Sequence, residues 1–123
     1  MFDVLSVLIL LQLKHLFIDF HWQKPFHYEN KGTYGHPGGI EHAAMHGIGT
    51  FLCFLFYLPF MFILAILAGL IDMILHYHID WAKVNLTKYY NVSFKDERYW
   101  RLLGLDQYMH QITYIALLAF IHK

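Results

Sequence analysis

The chain has 123 residues, 58% of them hydrophobic and 15% charged, and nine basic residues balance nine acidic ones. That balance excludes nucleic acid as an electrostatic partner, the single Cys53 excludes an internal disulfide, and an apolar content of this size places the chain among membrane proteins. The outlier of the composition is histidine, with ten copies.

A first helix is predicted over about residues 2–22. Its start, Met1-Phe2-Asp3, is acidic where a secretory signal carries basic residues, and no small-residue cleavage site follows, so it is expected to stay attached. Near its end His15 and Asp19 stand four residues apart, which places them on one helix face. The following stretch, with Lys24-Pro25, Asn30-Lys31-Gly32 and Gly35-His36-Pro37-Gly38-Gly39, reads as a loop. Its glycines precede no Gly-Lys-Ser/Thr, so it is a turn and not a phosphate-binding loop.

Gly47 to Ile71 is an uninterrupted run of 25 residues without Asp, Glu, Lys, Arg or His. From His42 to His76 one straight helix would measure about 51 Å at 1.5 Å per residue, too long for a hydrocarbon core of about 30 Å. A hairpin near Tyr57-Leu58-Pro59 resolves this, giving helices over about residues 40–57 and 60–83. The first carries His42 and His46, the second Asp72, His76 and Asp80, all at four-residue spacing. Glu41-His42-Ala43-Ala44-Met45-His46 lacks the glutamate that follows the first histidine in zinc-protease helices, so it offers a ligand pair at most.

Residues 84–104 are polar and aromatic and read as interfacial, with Lys95-Asp96-Glu97-Arg98 and Tyr99-Trp100-Arg101. A last helix over about residues 105–121 carries Asp106 and His110. The expectation is a single all-α domain over residues 1–123, an integral membrane bundle of four short transmembrane helices running up-down-up-down. In that topology all four His/Asp sets fall on one side. Lys24, Lys31, Lys83, Lys88, Lys95, Arg98 and Arg101 flank that side together with Trp22, Trp81 and Trp100, and only Lys123 flanks the other. The positive-inside rule then turns the polar side to the cytoplasm of a bacterial inner membrane and both termini outward. His21, His27, His36, His78 and His122 lie off the ladders or in loops and read as solvated interface side chains.

Imidazole and carboxylate together suit zinc first, then manganese or iron. His15, Asp19, His42, His46, His76, Asp80, Asp106 and His110 are the ligand candidates. They exceed the needs of one tetrahedral zinc, which leaves room for two ions and for hydrolysis of phosphoesters. Asp72 or Asp19 is the candidate general base, and Lys14, Lys83 and Arg101 are close enough in sequence to complement a phosphate.

The segments His15-Leu16-Phe17-Ile18-Asp19-Phe20-His21-Trp22-Gln23, His76-Tyr77-His78-Ile79-Asp80-Trp81-Ala82-Lys83 and Leu105-Asp106-Gln107-Tyr108-Met109-His110 resemble the signature blocks of a family of small bacterial and phage membrane proteins of unknown function. The chain is more loosely similar to membrane-bound metal-dependent hydrolases induced in the bacterial DNA-damage response. The family resemblance points to His15, Asp19, Gln23, His46, His76, Asp80, Lys83, Asp106, Gln107 and His110, while Asp72 and His42 rest on spacing. The expected function is a metal-dependent hydrolase acting on a phosphate-containing lipid or other membrane-proximal substrate, in a chain that could form a homodimer. A membrane protein-interaction factor and a metal or proton transporter are the alternatives, since polar groups also hold membrane helices together and line ion pathways.

Overall fold

The computed structural model describes residues 3–122, and these are helical with no strand among them. Five helices follow in order: α1 Val4–Phe17, which runs on as a π-helical turn over Ile18–Trp22, α2 Pro25–Tyr28, α3 Pro37–Tyr57, α4 Phe62–Tyr89 and α5 Glu97–Ile121. The predicted start at Phe2 and the basic Lys123 lie outside the described residues.

Each boundary has a local cause. Asp3 caps α1 by accepting from the Ser6 backbone N–H at 2.7 Å. His36 caps α3, accepting from Gly38 N–H at 3.0 Å, and Pro37 occupies the first helical position, where its missing N–H is harmless. The chain breaks between α3 and α4 at residues 58–61, around Pro59. Two boundaries depart from the sequence expectation: α4 continues six residues beyond Lys83, and α5 begins eight residues before Leu105. The first extension ends in a Schellman arrangement, with Asn91 at φ 48° and bonds from Asn91 N–H to Lys88 O (3.0 Å) and Val92 N–H to Thr87 O (3.1 Å). The second begins at Asp96, whose carboxylate accepts from Arg98 N–H at 2.9 Å. Only residues 90–96 therefore remain non-helical in the stretch read as interfacial.

The four longer helices close a ring, with contacts of α1 with α3, α3 with α4, α4 with α5, and α5 with α1. One end of the bundle is apolar, built from Val7, Leu11, Cys53, Phe54, Ala65, Ala68, Tyr114, Leu117 and Leu118. Toward the other end the interior turns polar, and as many polar as apolar side chains are buried among the described residues. The outer surface carries Leu5, Ile9, Leu13, Ile63, Leu67, Ile74, Ile115 and Phe120. Val4–Trp22 and Phe62–Tyr89 are long and apolar enough to cross a membrane.

Gly47 and Gly69 set the approach of α3 and α4. A Cβ on Gly47 would lie 2.7 Å from the Gly69 carbonyl oxygen, and one on Gly69 would lie 2.6 Å from that of Gly47. Alanine at either position should therefore push the helices apart and destabilise the bundle by about 1–3 kcal/mol. Gly104, an exposed position of α5 with nothing near its Cβ site, should gain roughly 0.5–1 kcal/mol from the same change. Thermal unfolding in detergent followed by circular dichroism checks both; equal effects at the three glycines would contradict the packing.

Candidate metal centre

The ladders predicted from spacing meet in the bundle interior. Asp19 is presented by the π turn, where the widened backbone carries α1 to its end, and π turns are frequent at functional sites. His42 and His46 come from the first turns of α3, His76 and Asp80 from the middle of α4, and His110 from α5. All six are 6% exposed or less, deep enough that water cannot serve as their general partner.

Two groups of buried side chains could hold a metal ion: Asp19, His42, His46 and His76, and next to it His76, Asp80 and His110. Asp19 Oδ1 lies 2.9 Å from His46 Nε2, 3.1 Å from His42 Nε2 and 3.9 Å from His76 Nε2. The Nε2 atoms of His42 and His76 face each other at 3.3 Å. In the second group Asp80 Oδ1 lies 3.2 Å from His110 Nε2, and Asp80 Oδ2 lies 3.2 Å from His42 Nε2 and 3.4 Å from His76 Nε2. Hydrogen bonding alone leaves this arrangement incomplete. Asp80 Oδ2, His42 Nδ1 and His76 Nδ1 are buried without an aligned partner, and unmet polar atoms at such depth are costly.

Spacing predicts His15 as a ligand too, yet the structure leaves it out of both groups. Its Nε2 faces two acceptors, Gln107 Oε1 at 3.0 Å and Asp19 Oδ2 at 3.1 Å, so that nitrogen carries the proton. Its Nδ1 then accepts from the Tyr114 hydroxyl at 2.8 Å. His15 orients Asp19 from behind, as outer partners of metal ligands do. Asp106 is likewise outside both groups. Its Oδ2 accepts from Gln107 Nε2 at 3.1 Å, while its Oδ1 lies 3.5 Å from His110 Nε2 and has no hydrogen-bond partner. Gln23 donates to the Asp19 backbone carbonyl, closing the π turn.

Asp72, a candidate base by sequence, accepts from Lys14 Nζ at 2.7 Å and from Thr50 Oγ1 at 2.6 Å. Lys14 also lies 3.2 Å from His46 Nδ1 and 4.7 Å above the Tyr114 ring, so it is committed to the interior and not to a substrate phosphate. Lys83 is half-buried and sits 5.7 Å from the Tyr99 ring centre, beside a groove between α4 and α5 that Asp106 also lines. Arg101 is exposed and pairs with Glu97 at 2.6 Å.

Sequence reasoning passed over three contributors. Lys31, from the loop before α3, reaches Asp80 Oδ2 at 3.2 Å. Burial pushes its ammonium down, and the Asp80 and Asp19 carboxylates outweigh that effect and hold it above its ordinary value. Thr50 and Tyr114 are fully buried and bind Asp72 and His15. His27 also corrects the expectation of a solvated side chain. It is 3% exposed, with Nδ1 accepting from Lys24 N–H at 2.9 Å and Nε2 lying 3.1 Å from Glu41. It ties α2 to α3.

An all-helical protein with two helices long and apolar enough to cross a membrane, and with buried His/Asp groups that could hold a metal ion, is the class these features describe. The chain belongs to the family described as protein of unknown function (DUF3307), whose profile matches residues 7–123. Among curated proteins and among solved structures, none matches the chain.

The Lys14 and Asp72 pair generates a direct test. Lys14→Met leaves a carboxylate uncompensated and should destabilise the protein by about 3–5 kcal/mol, whereas Lys14→Met with Asp72→Leu should recover most of that loss. Chemical unfolding of both variants measures it. A double variant as unstable as the single one would mean that the pair does not act as a unit.

Proposed function

We propose that the chain is a four-span membrane protein whose His/Asp centre binds a divalent ion and hydrolyses a phosphate-containing lipid at the cytoplasmic face of the bacterial inner membrane. The observation that carries this reading is the spacing of donor atoms around Asp19. Ligands held about 2.0–2.1 Å from a tetrahedral zinc stand about 3.3 Å from one another. Four donor separations in the Asp19, His42, His46 and His76 group lie between 2.9 and 3.9 Å, and all of its donor atoms lie within 4.8 Å of one another. Three nitrogens and one oxygen are a donor set that suits zinc, with manganese and iron the other candidates.

Charge supports the same reading. Four buried carboxylates (Asp19, Asp72, Asp80 and Asp106) face two largely buried ammoniums (Lys14 and Lys31), and with the imidazoles neutral, as metal ligands are, one divalent ion would balance the remaining charge. The membrane part rests on the inverted surface, apolar outside and polar within, and on basic residues gathered at the polar end. When bound, the ion would supply a Lewis acid for a phosphoryl oxygen and activate water near neutral pH.

The chain's own residues do the rest. His15, itself held by Gln107, orients Asp19, and Asp106 stands beside His110. A groove of about 280 Å³ between α4 and α5 is lined by Leu75, Leu86, Leu102 and Met109, with Lys83 and Asp106 its charged members. Its apolar walls suit a lipid chain, and the Lys83 ammonium among them suits a headgroup phosphate.

The protein purified in detergent should carry about one equivalent of metal by elemental analysis. Asp19→Asn should lose it and Asp106→Asn should keep it, both with native helicity. Phosphate or headgroup release from anionic phospholipid vesicles should cease with chelator and return with zinc. A metal-free, folded wild type would sink the metal centre, and a metal-loaded protein inert toward phospholipid vesicles would sink the hydrolase.

A further inference from the structure

Lys31 does not behave as a surface lysine of a mobile loop. Its side chain is 13% exposed, and its backbone is pinned from several directions. Asn85 Nδ2 donates to the carbonyl of neighbouring Gly32 at 2.9 Å, and Tyr77 OH accepts from Gly35 N–H at 2.6 Å. A Cβ on Gly32 would lie 2.4 Å from Val84 Cγ1, and one on Gly39 would lie 3.2 Å from Lys31 Cα. The segment is seated against α4 and α3, and the ammonium is delivered to a fixed place.

That place lies against the second group of donors. Asp80 Oδ2 is approached by Lys31 Nζ at 3.2 Å, His42 Nε2 at 3.2 Å and His76 Nε2 at 3.4 Å, while Asp80 Oδ1 faces His110. Asp80 Oδ2 nevertheless has no aligned hydrogen bond. Its nearest ammonium is that of Lys31. With both lysines in place and every buried imidazole neutral, one divalent ion balances the buried charge and a second would leave two uncompensated positive charges, a heavy penalty at this depth.

We propose that the Lys31 ammonium takes the place of a second metal ion beside His76, Asp80 and His110, so that the centre works with one divalent ion and one fixed ammonium. This rests on the metal reading given above and departs from the expectation of two ions that the number of ligands suggests. The ammonium supplies the second positive charge that a two-metal centre would use to clamp a phosphoryl group, and it does so without depending on metal supply.

Zinc content of the full chain in detergent tests the idea, measured on wild type, Lys31→Met, Lys31→Arg, and Lys31→Met combined with Asp80→Asn. The expected values are about one equivalent for wild type and Lys31→Arg, two for Lys31→Met, and one again when Asp80→Asn is added. Two equivalents in wild type, or one in Lys31→Met, overturns the proposal while leaving the metal centre standing. No zinc in folded wild type overturns the metal centre itself, and the proposal with it. Should Lys31→Met lose native helicity where Lys31→Arg keeps it, added zinc must restore the fold, because an ion can then stand in for the ammonium. Failure of zinc to restore it overturns the proposal.

Discussion

Charge neutrality inside an apolar bundle is the constraint on which the rest of this structure depends. Removing a carboxylate or an ammonium from water costs several kcal/mol, and only close partners offset it. Asp72 meets that demand with Lys14 and Thr50, and Asp80 meets part of it with Lys31. Asp19 is surrounded by imidazoles, which can be neutral donors, cations or metal ligands according to what else is present. The polar interior is therefore an interdependent set, in which removing any one charge strands another.

That interdependence explains why the helices must approach so closely. His42 and His46 on α3 meet His76 and Asp80 on α4 because Gly47, next to His46, and Gly69, two turns before His76, let the two backbones touch. The stacking of His46 on His76, with ring centres 3.5 Å apart, depends on the same approach, and His76 stacks in turn on His110 of α5 at 4.0 Å. Small residues at a helix crossing serve in membranes the purpose that large interdigitating side chains serve in water. Here they also bring donor atoms to the separations a metal ion requires. Membership of a family of unknown function adds no chemistry to this picture, so the functional reading stands on the geometry of these side chains.

Helix ends illustrate what a sequence signal can and cannot do. The Asp96-Glu97 start of α5 is a legible capping pattern, acidic residues opening a helix, and it is masked only because the polar residues 95–101 resemble an interfacial loop. The end of α4 at Tyr89 is harder, because Asn91 ends it through a left-handed turn that Asn adopts only in context. Both extensions move the His/Asp residues of α4 and α5 from helix ends toward helix middles.

The sequence by itself determined the four polar ladders, the break near Pro59 and the gathering of charge toward one end, since each depends on spacing along a single helix. Ladder membership, however, treats His15 and His46 alike, and also Asp72 and Asp80. Only the tertiary structure decided that His15 is a proton donor behind Asp19, that Asp72 belongs to Lys14, and that Lys31 and Tyr114 belong to the centre. The reason is physical: periodicity fixes which face of a helix a side chain occupies. Which atom it meets across the bundle depends on the distance and rotation between helices, and those follow from packing at positions such as Gly47 and Gly69 that carry no functional group at all.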